Sequence, residues 1–188
     1  MNPISLGDGA SDALGDERLR RLSPSLDATN VAINRYRLAP GEGFPGGLHA
    51  HVDQEEVFVV LEGEATFETM EGSVTVASGE AIRFAPGTYQ SGRNDDDRPL
   101  VALALGAPRD TEDVRIPFAC PDCEHGSLRL ATEGTLTFVC PDCAAEHVPT
   151  PCPTCDSDDL QATLSEPQQP VVTCRGCGAT FDRPPIDG

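Results

Sequence analysis

Residues 43–63 run Gly43-Phe-Pro-Gly-Gly-Leu-His49-Ala-His51-Val-Asp-Gln-Glu55-Glu56-Val-Phe-Val-Val-Leu-Glu-Gly63 and bring two histidines and a carboxylate close together in the chain. His49 and His51 are two apart, so on a strand both rings leave the same face. A turn at residues 52–54 sends the apolar run 56–61 back as the next strand, which lets Glu56 reach the same volume. Two imidazoles and a carboxylate form a facial set that binds a first-row divalent metal and leaves positions open. Half of the four histidines of the chain lie in this one tripeptide. Glu55 faces the other side by the period-2 alternation and is read as a solvated neighbour.

Outward from this stretch, short alternating runs are punctuated by Gly, Pro and acidic residues. They predict strands over 31–38, 56–61, 64–69, 73–77, 80–84 and 99–105, with hairpin turns at Glu62-Gly63-Glu64 and Glu71-Gly72. Closely spaced strands without helices between them argue for a sandwich or barrel. The first 28 residues are polar and turn-rich, and Asp12–Leu22 is read as one short helix.

The quoted stretch resembles the first motif of the cupin superfamily, Gly-x5-His-x-His-x3–4-Glu-x6-Gly, with Gly43, His49, His51, Glu56 and Gly63 in register. The second cupin motif is recognisable over 79–94: Gly79, Gly87 and Asn94 match, Pro86 sits one place late with Ala85 in its position, and Gln90 replaces the third histidine. The resemblance covers residues 30–106 and implies a jelly-roll (double-stranded β-helix) barrel, commonly paired as a homodimer, with its site inside. It implies a metal site of His49, His51 and Glu56, with Gln90 as a weaker oxygen ligand, for zinc, manganese, iron or nickel. A three-ligand site and a metal-free pocket for a small polar molecule are the alternatives. Tyr89 either lines this pocket or packs at the barrel mouth.

All eight cysteines follow residue 119, as Cys120/Cys123, Cys140/Cys143, Cys152/Cys155 and Cys174/Cys177. Sixteen residues separate the first two pairs and eighteen the last two, which is structural-zinc spacing written twice. Two thiolates from one tight turn take one edge of a tetrahedron and a second turn supplies the opposite edge. Pro121, Pro141, Pro153 and Gly178 suit such turns. The spacers alternate over 128–132 and 135–139, and again over 160–164 and 171–173, with turns at 133–134 and 166–170. The segment therefore resembles two tandem zinc ribbons, modules too small for a hydrophobic core to suffice without the metal. Disulfides and thioredoxin-like chemistry are disfavoured, because no export signal and no βαβ pattern is present. Iron in place of zinc and cross-braced pairing of the cysteines stay open.

The expected class is thus mainly β: a polar extension (1–28), a cupin barrel (29–112), and zinc ribbons over 117–149 and 150–188. The formal charge is −18, with 31 acidic residues against 13 arginines and no lysine. Such a balance repels nucleic acid and anionic membranes. It also matches a cytoplasmic protein of a salt-accumulating cell such as a haloarchaeon, and neither a long apolar run nor a signal-like leader is present. Residues 117–188 carry 11 acidic and 3 basic residues, so the ribbons are expected to contact protein or to be structural rather than to hold nucleic acid. Two functions follow. One is a small-molecule-binding or regulatory module whose ribbons meet a protein partner. The other is a metal-dependent enzyme of dioxygenase, isomerase or decarboxylase type working at His49, His51 and Glu56. No residue is assigned a catalytic role.

Overall fold

The structure is a computed structural model that describes residues 3–7 and 18–187. Its first nine strands are β1 (Leu19–Arg21), β2 (Ala32–Leu38), β3 (Ala50–His51), β4 (Glu55–Glu62), β5 (Glu64–Thr69), β6 (Gly72–Ala77), β7 (Ala81–Phe84), β8 (Gln90–Arg93) and β9 (Leu100–Ala107). The cysteine-rich part adds β10 (Val114–Ile116), β11 (Leu128–Ala131), β12 (Thr137–Val139), β13 (Glu146–His147), β14 (Leu160–Ser165), β15 (Gln169–Cys174) and β16 (Thr180–Phe181). The described residues contain no α-helix, so the mainly-β expectation holds. No helix among them is long and apolar enough to cross a membrane.

One sheet runs β1-β2-β9-β4-β7 and a second runs β6-β5-β8, and the two share one core. Alternation explains the sharing. Phe58 and Val60 on β4, and Leu100, Ala102 and Ala104 on β9, point inward from the first sheet; Ala65, Phe67 and Val76 meet them from the second. The centre is aromatic: Phe67 lies 4.8 Å from Phe58, 5.3 Å from Phe84 and 5.7 Å from Phe44 between ring centroids. Gly92 on β8 leaves the room, since a Cβ there would stand 2.6 Å from Phe67 and 2.7 Å from Phe44.

The cysteine-rich part does not hang free. Its first sheet, β13-β12-β11-β10-β3, takes in β3, which carries His51. Its second, β14-β15-β16, packs with the first on a common core of Ile116, Phe118, Leu128, Phe138 and Val172. Two modules that each lack a core build one together, and fully buried Cys120 and Cys140 belong to it.

The structure departs from the sequence reading in its unread strands β8, β10, β13 and β16, in the N-terminal segment and in one turn. Residues 19–21 form β1, an edge strand paired with β2 at Leu19↔Tyr36, where a helix was expected over 12–22; residues 12–17 of that stretch lie outside the described ones. The turn read over 166–170 is shorter, because Gln169 and Pro170 already pair with Ser165 and Leu164.

Candidate functional site

His49 and His51 flank Ala50, whose side chain is buried on the other face. His51 lies on β3 and His49 just before it, in an isolated bridge to Gln90; the extended run is short because Gly46 and Gly47 precede it with φ of 100° and 63° and the turn at 52–54 follows. Backbone pairing brings Gln90 opposite His49, with His49 N–H donating to Gln90 O at 3.1 Å and Gln90 N–H returning to His49 O at 2.9 Å. Glu56 enters from β4, between Gly106 on β9 and Phe84 on β7. The sequence-predicted residues therefore converge.

His49 Nε2 stands 3.2 Å from His51 Nε2, and His51 Nε2 stands 3.9 Å from Glu56 Oε2. One donor atom from each of the three lies within 4.8 Å of the others. Gln90 Nε2 donates to Glu56 Oε2 at 3.1 Å, so it steadies the carboxylate. Glu55 points away, to an exposed ion pair with Arg83 at 2.7 Å.

The outer hydrogen bonds fix what faces inward. His49 Nδ1 meets the carbonyl of Gly47 at 2.8 Å, and a carbonyl only accepts, so Nδ1 carries the proton. Thr111 Oγ1 donates to Asp53 at 2.6 Å and therefore accepts from His51 Nδ1 at 3.3 Å. Both neutral rings then turn a bare Nε2 lone pair into the same space. Two lone pairs at 3.2 Å repel each other unless a cation lies between them, and this donor set is one that fits a divalent metal. Burial acts in the same direction. Desolvation lowers the His49 pKa; desolvation and then the neighbouring His49 bring His51 down to about 4. Desolvation also raises Glu56 to about 7. The rings are neutral and ready to ligate, while the carboxyl exchanges its proton near neutrality.

Thr111, Asp53 and the Gly47 carbonyl escaped the sequence reading. Thr111 lies 60 residues from His51, and nothing local marks it. Tyr89 is half-buried, and burial raises its pKa.

The cysteines gather as Cys120, Cys123, Cys140 and Cys143, and as Cys152, Cys155, Cys174 and Cys177. Pairs one and two therefore close together, as do three and four, without cross-bracing. Sulfurs stand 3.7 Å apart for Cys120–Cys143, 3.5 Å for Cys123–Cys140, 3.8 Å for Cys152–Cys177 and 3.6 Å for Cys155–Cys174. A tetrahedron with ~2.3 Å zinc–sulfur bonds has edges of about 3.8 Å, whereas a disulfide needs about 2.05 Å. These clusters fit a tetrahedral metal ion.

One turn is used four times. The amide after each second cysteine donates to the carbonyl of the first: Glu124 to Cys120, Ala144 to Cys140, Asp156 to Cys152 and Gly178 to Cys174, at 2.8–3.0 Å. The next amides, of His125, Ala145, Ser157 and Ala179, point at the sulfurs of Cys123, Cys143, Cys155 and Cys177. One asymmetry was not read from the sequence. His147 Nε2 lies 3.8 Å from Cys120 Sγ and 3.8 Å from Asp122 Oδ2, while Phe181 takes the matching place, seven residues after the third cysteine, in the second cluster.

Comparison with known proteins agrees with this geometry. Residues 34–106 match the family model described as Cupin domain, which supports the cupin superfamily for this part of the chain. A protein provisionally named a sugar phosphate isomerase, from Acidithiobacillus ferrooxidans, is 24% identical, with a TM-score of 0.52 over 64% of this chain and 74% of its own. A sugar phosphate isomerase of the cupin superfamily from Silicibacter pomeroyi is 23% identical, with a TM-score of 0.52 over 67% of this chain and 77% of its own. At these identities the likeness concerns the fold. No curated protein matches the chain.

Proposed function

We propose that this protein is a metal-binding cupin with a jelly-roll barrel and two structural zinc ribbons, acting as a small-molecule-binding or regulatory module. One observation carries the metal reading: the two inward lone pairs of His49 and His51, 3.2 Å apart beside Glu56. His49, His51 and Glu56 would hold a divalent ion such as zinc, manganese, iron or nickel, and Gln90 would supply a fourth oxygen after turning its amide. The ion would act as a Lewis acid toward a small ligand's oxygen. Around it, Glu56 would hold or release a proton while the Gln90 amide donates to its carboxylate, and the Phe44–Phe58–Phe67–Phe84 cluster fills the interior.

Each four-cysteine cluster would take one zinc in a closed coordination shell, which supplies folding energy and no open position. We propose boundaries of 29–112 for the barrel and 117–149 and 150–188 for the ribbons, and protein rather than nucleic acid as partner of their acidic surface. The charge of −18 without lysine fits a cytoplasmic home in a salt-accumulating cell.

A second reading, a metal-dependent enzyme, is favoured by one observation: Glu56, raised to about 7, is suited to act as a base beside a metal. Recognition of a sugar phosphate gains no support, since Arg83, Arg93 and Arg115 on the neighbouring strands are each paired with a carboxylate. Calorimetric titration of the zinc-loaded chain with Mn2+, Ni2+ or Zn2+ tests the proposal. One further site, lost in His49→Ala and Glu56→Ala, is the expected result; no further site overturns it.

A further inference from the structure

The sharpest unexplained feature is where the cysteine-rich part touches the rest of the chain. Gly46 and Gly47 form a thin layer with the ring of His49 on one side and β14 on the other. A Cβ on Gly46 would stand 3.1 Å from His49 Cε1 and 3.2 Å from its Nδ1. A Cβ on Gly47 would stand 2.5 Å from Gln161 Cγ and 2.6 Å from the Ala162 carbonyl oxygen. That same carbonyl accepts the N–H of Leu48 at 2.8 Å, and the Gly47 carbonyl accepts His49 Nδ1–H. β14 is in turn held by the second cluster, because Leu160 pairs with Cys174 and Ala162 with Val172.

His51 is held in a parallel way by the first cluster. It pairs with Val114 on β10, whose Ile116 pairs with Leu128 on β11. β11 pairs with β12, which ends beside Cys140. The N–H of Val52 donates to Asp113 at 2.8 Å, closing the contact next to Thr111.

We propose that the two four-cysteine modules are the positioning frame of the histidine site, the second setting His49 through Gly47 and Ala162, and the first setting His51 through β3 and β10. This rests on the metal reading of His49, His51 and Glu56. Gly47, Gln161 and Ala162 are positioning residues: they touch no metal, yet they fix the ring that would. A ligand displaced by a fraction of an ångström loses its place in the coordination sphere, and supporting contacts of this kind are worth ~10–100-fold in metal affinity. Coupling between sites is reciprocal, so filling the histidine site also stabilises the docking of β14.

The full chain, loaded with two zinc ions, is titrated with Co2+, whose visible bands distinguish a nitrogen–oxygen site from a thiolate one. Gly47→Ala is expected to keep both zinc ions and to bind Co2+ at the histidine site at least ~10-fold more weakly. Cys155→Ser, loaded with one zinc in the first cluster only, is expected to weaken the nitrogen–oxygen site by a similar factor. Unchanged Co2+ affinity in either variant overturns the inference while leaving the metal reading intact. An unsubstituted chain without a nitrogen–oxygen cobalt band overturns the metal reading and the inference with it.

Discussion

His49 Nε2 and His51 Nε2 face each other across 3.2 Å, and each ring has its proton turned to the far side, toward Gly47 O and Thr111 Oγ1. This relationship suits the pair to a cation between the rings rather than to a hydrogen bond. Removing the outer partner frees the tautomer. Thr111→Val is expected to weaken metal binding ~10–100-fold without touching a ligand. Calorimetric titration of the zinc-loaded variant measures it, and an unchanged affinity contradicts the tautomer assignment.

Glu56 gives the site a defined pH response. Its pKa in the folded, metal-free chain is about 7, and His51 lies at about 4. A metal binding between these values must displace one proton, from Glu56. Apparent affinity should therefore rise about tenfold per pH unit from pH 5 to pH 7 and level off above, once the carboxylate is ionised. Glu56→Gln should flatten that slope while lowering affinity overall. Titrations at pH 5.5, 6.5 and 7.5 read both effects.

The metal-free chain should show the same groups in its stability. Glu56 is raised from 4.5, so its contribution is present below 4.5 and is lost as pH rises toward 7. His51 is lowered from 6.5, so its contribution grows as pH rises from 4 to 6.5. The two slopes oppose each other between 4.5 and 6.5, and only the Glu56 loss continues to 7. Urea midpoints of the wild type and Glu56→Gln should therefore diverge between pH 4.5 and 7, the variant's rising with His51 up to pH 6.5 while the wild type's stays nearly level.

The shared core of the cysteine-rich part makes its two clusters interdependent. Phe138 lies in the first module and Val172 in the second, and both belong to one buried cluster. Cys123→Ser should thus expose not only 117–149 but also 150–188 to protease. Limited proteolysis with mass spectrometry shows which segment is cut; protection of 150–188 contradicts a common core.

Between the two N-terminal sheets, Phe67 is fully buried amid three other phenylalanines. Phe67→Ala is expected to destabilise the chain by about 3–5 kcal/mol, because the rigid neighbours Phe58 and Phe84 close the hole only in part. Chemical denaturation monitored by far-UV circular dichroism checks the magnitude.

Much of this was legible along the chain. The alternation over 56–61 and 99–105 marks β4 and β9 because apolar residues on those strands face one core. The His49, His51 and Glu56 set is visible because the two rings stand two residues apart in an extended run and the carboxylate follows one turn later. The cysteine pairs carry their own geometry in their spacing. What was illegible depends on partners far away in sequence. β8 has the composition Gln90-Ser91-Gly92-Arg93, with no β-branched residue, and it is a strand because β5 pairs with it. Arg20 and Arg21 are drawn into β1 by β2. Thr111 and Ala162 matter through a single hydrogen bond each, made 60 and 114 residues from the partner.

On the proposed reading the chain would hold three metal ions, two among the cysteines and one between the histidines. Elemental analysis of the purified full chain, with protein quantified by amino-acid analysis, tests it most directly. Three ions per chain in the wild type and two in His51→Ala is the predicted result. Two ions in the wild type, or three in His51→Ala, contradicts it.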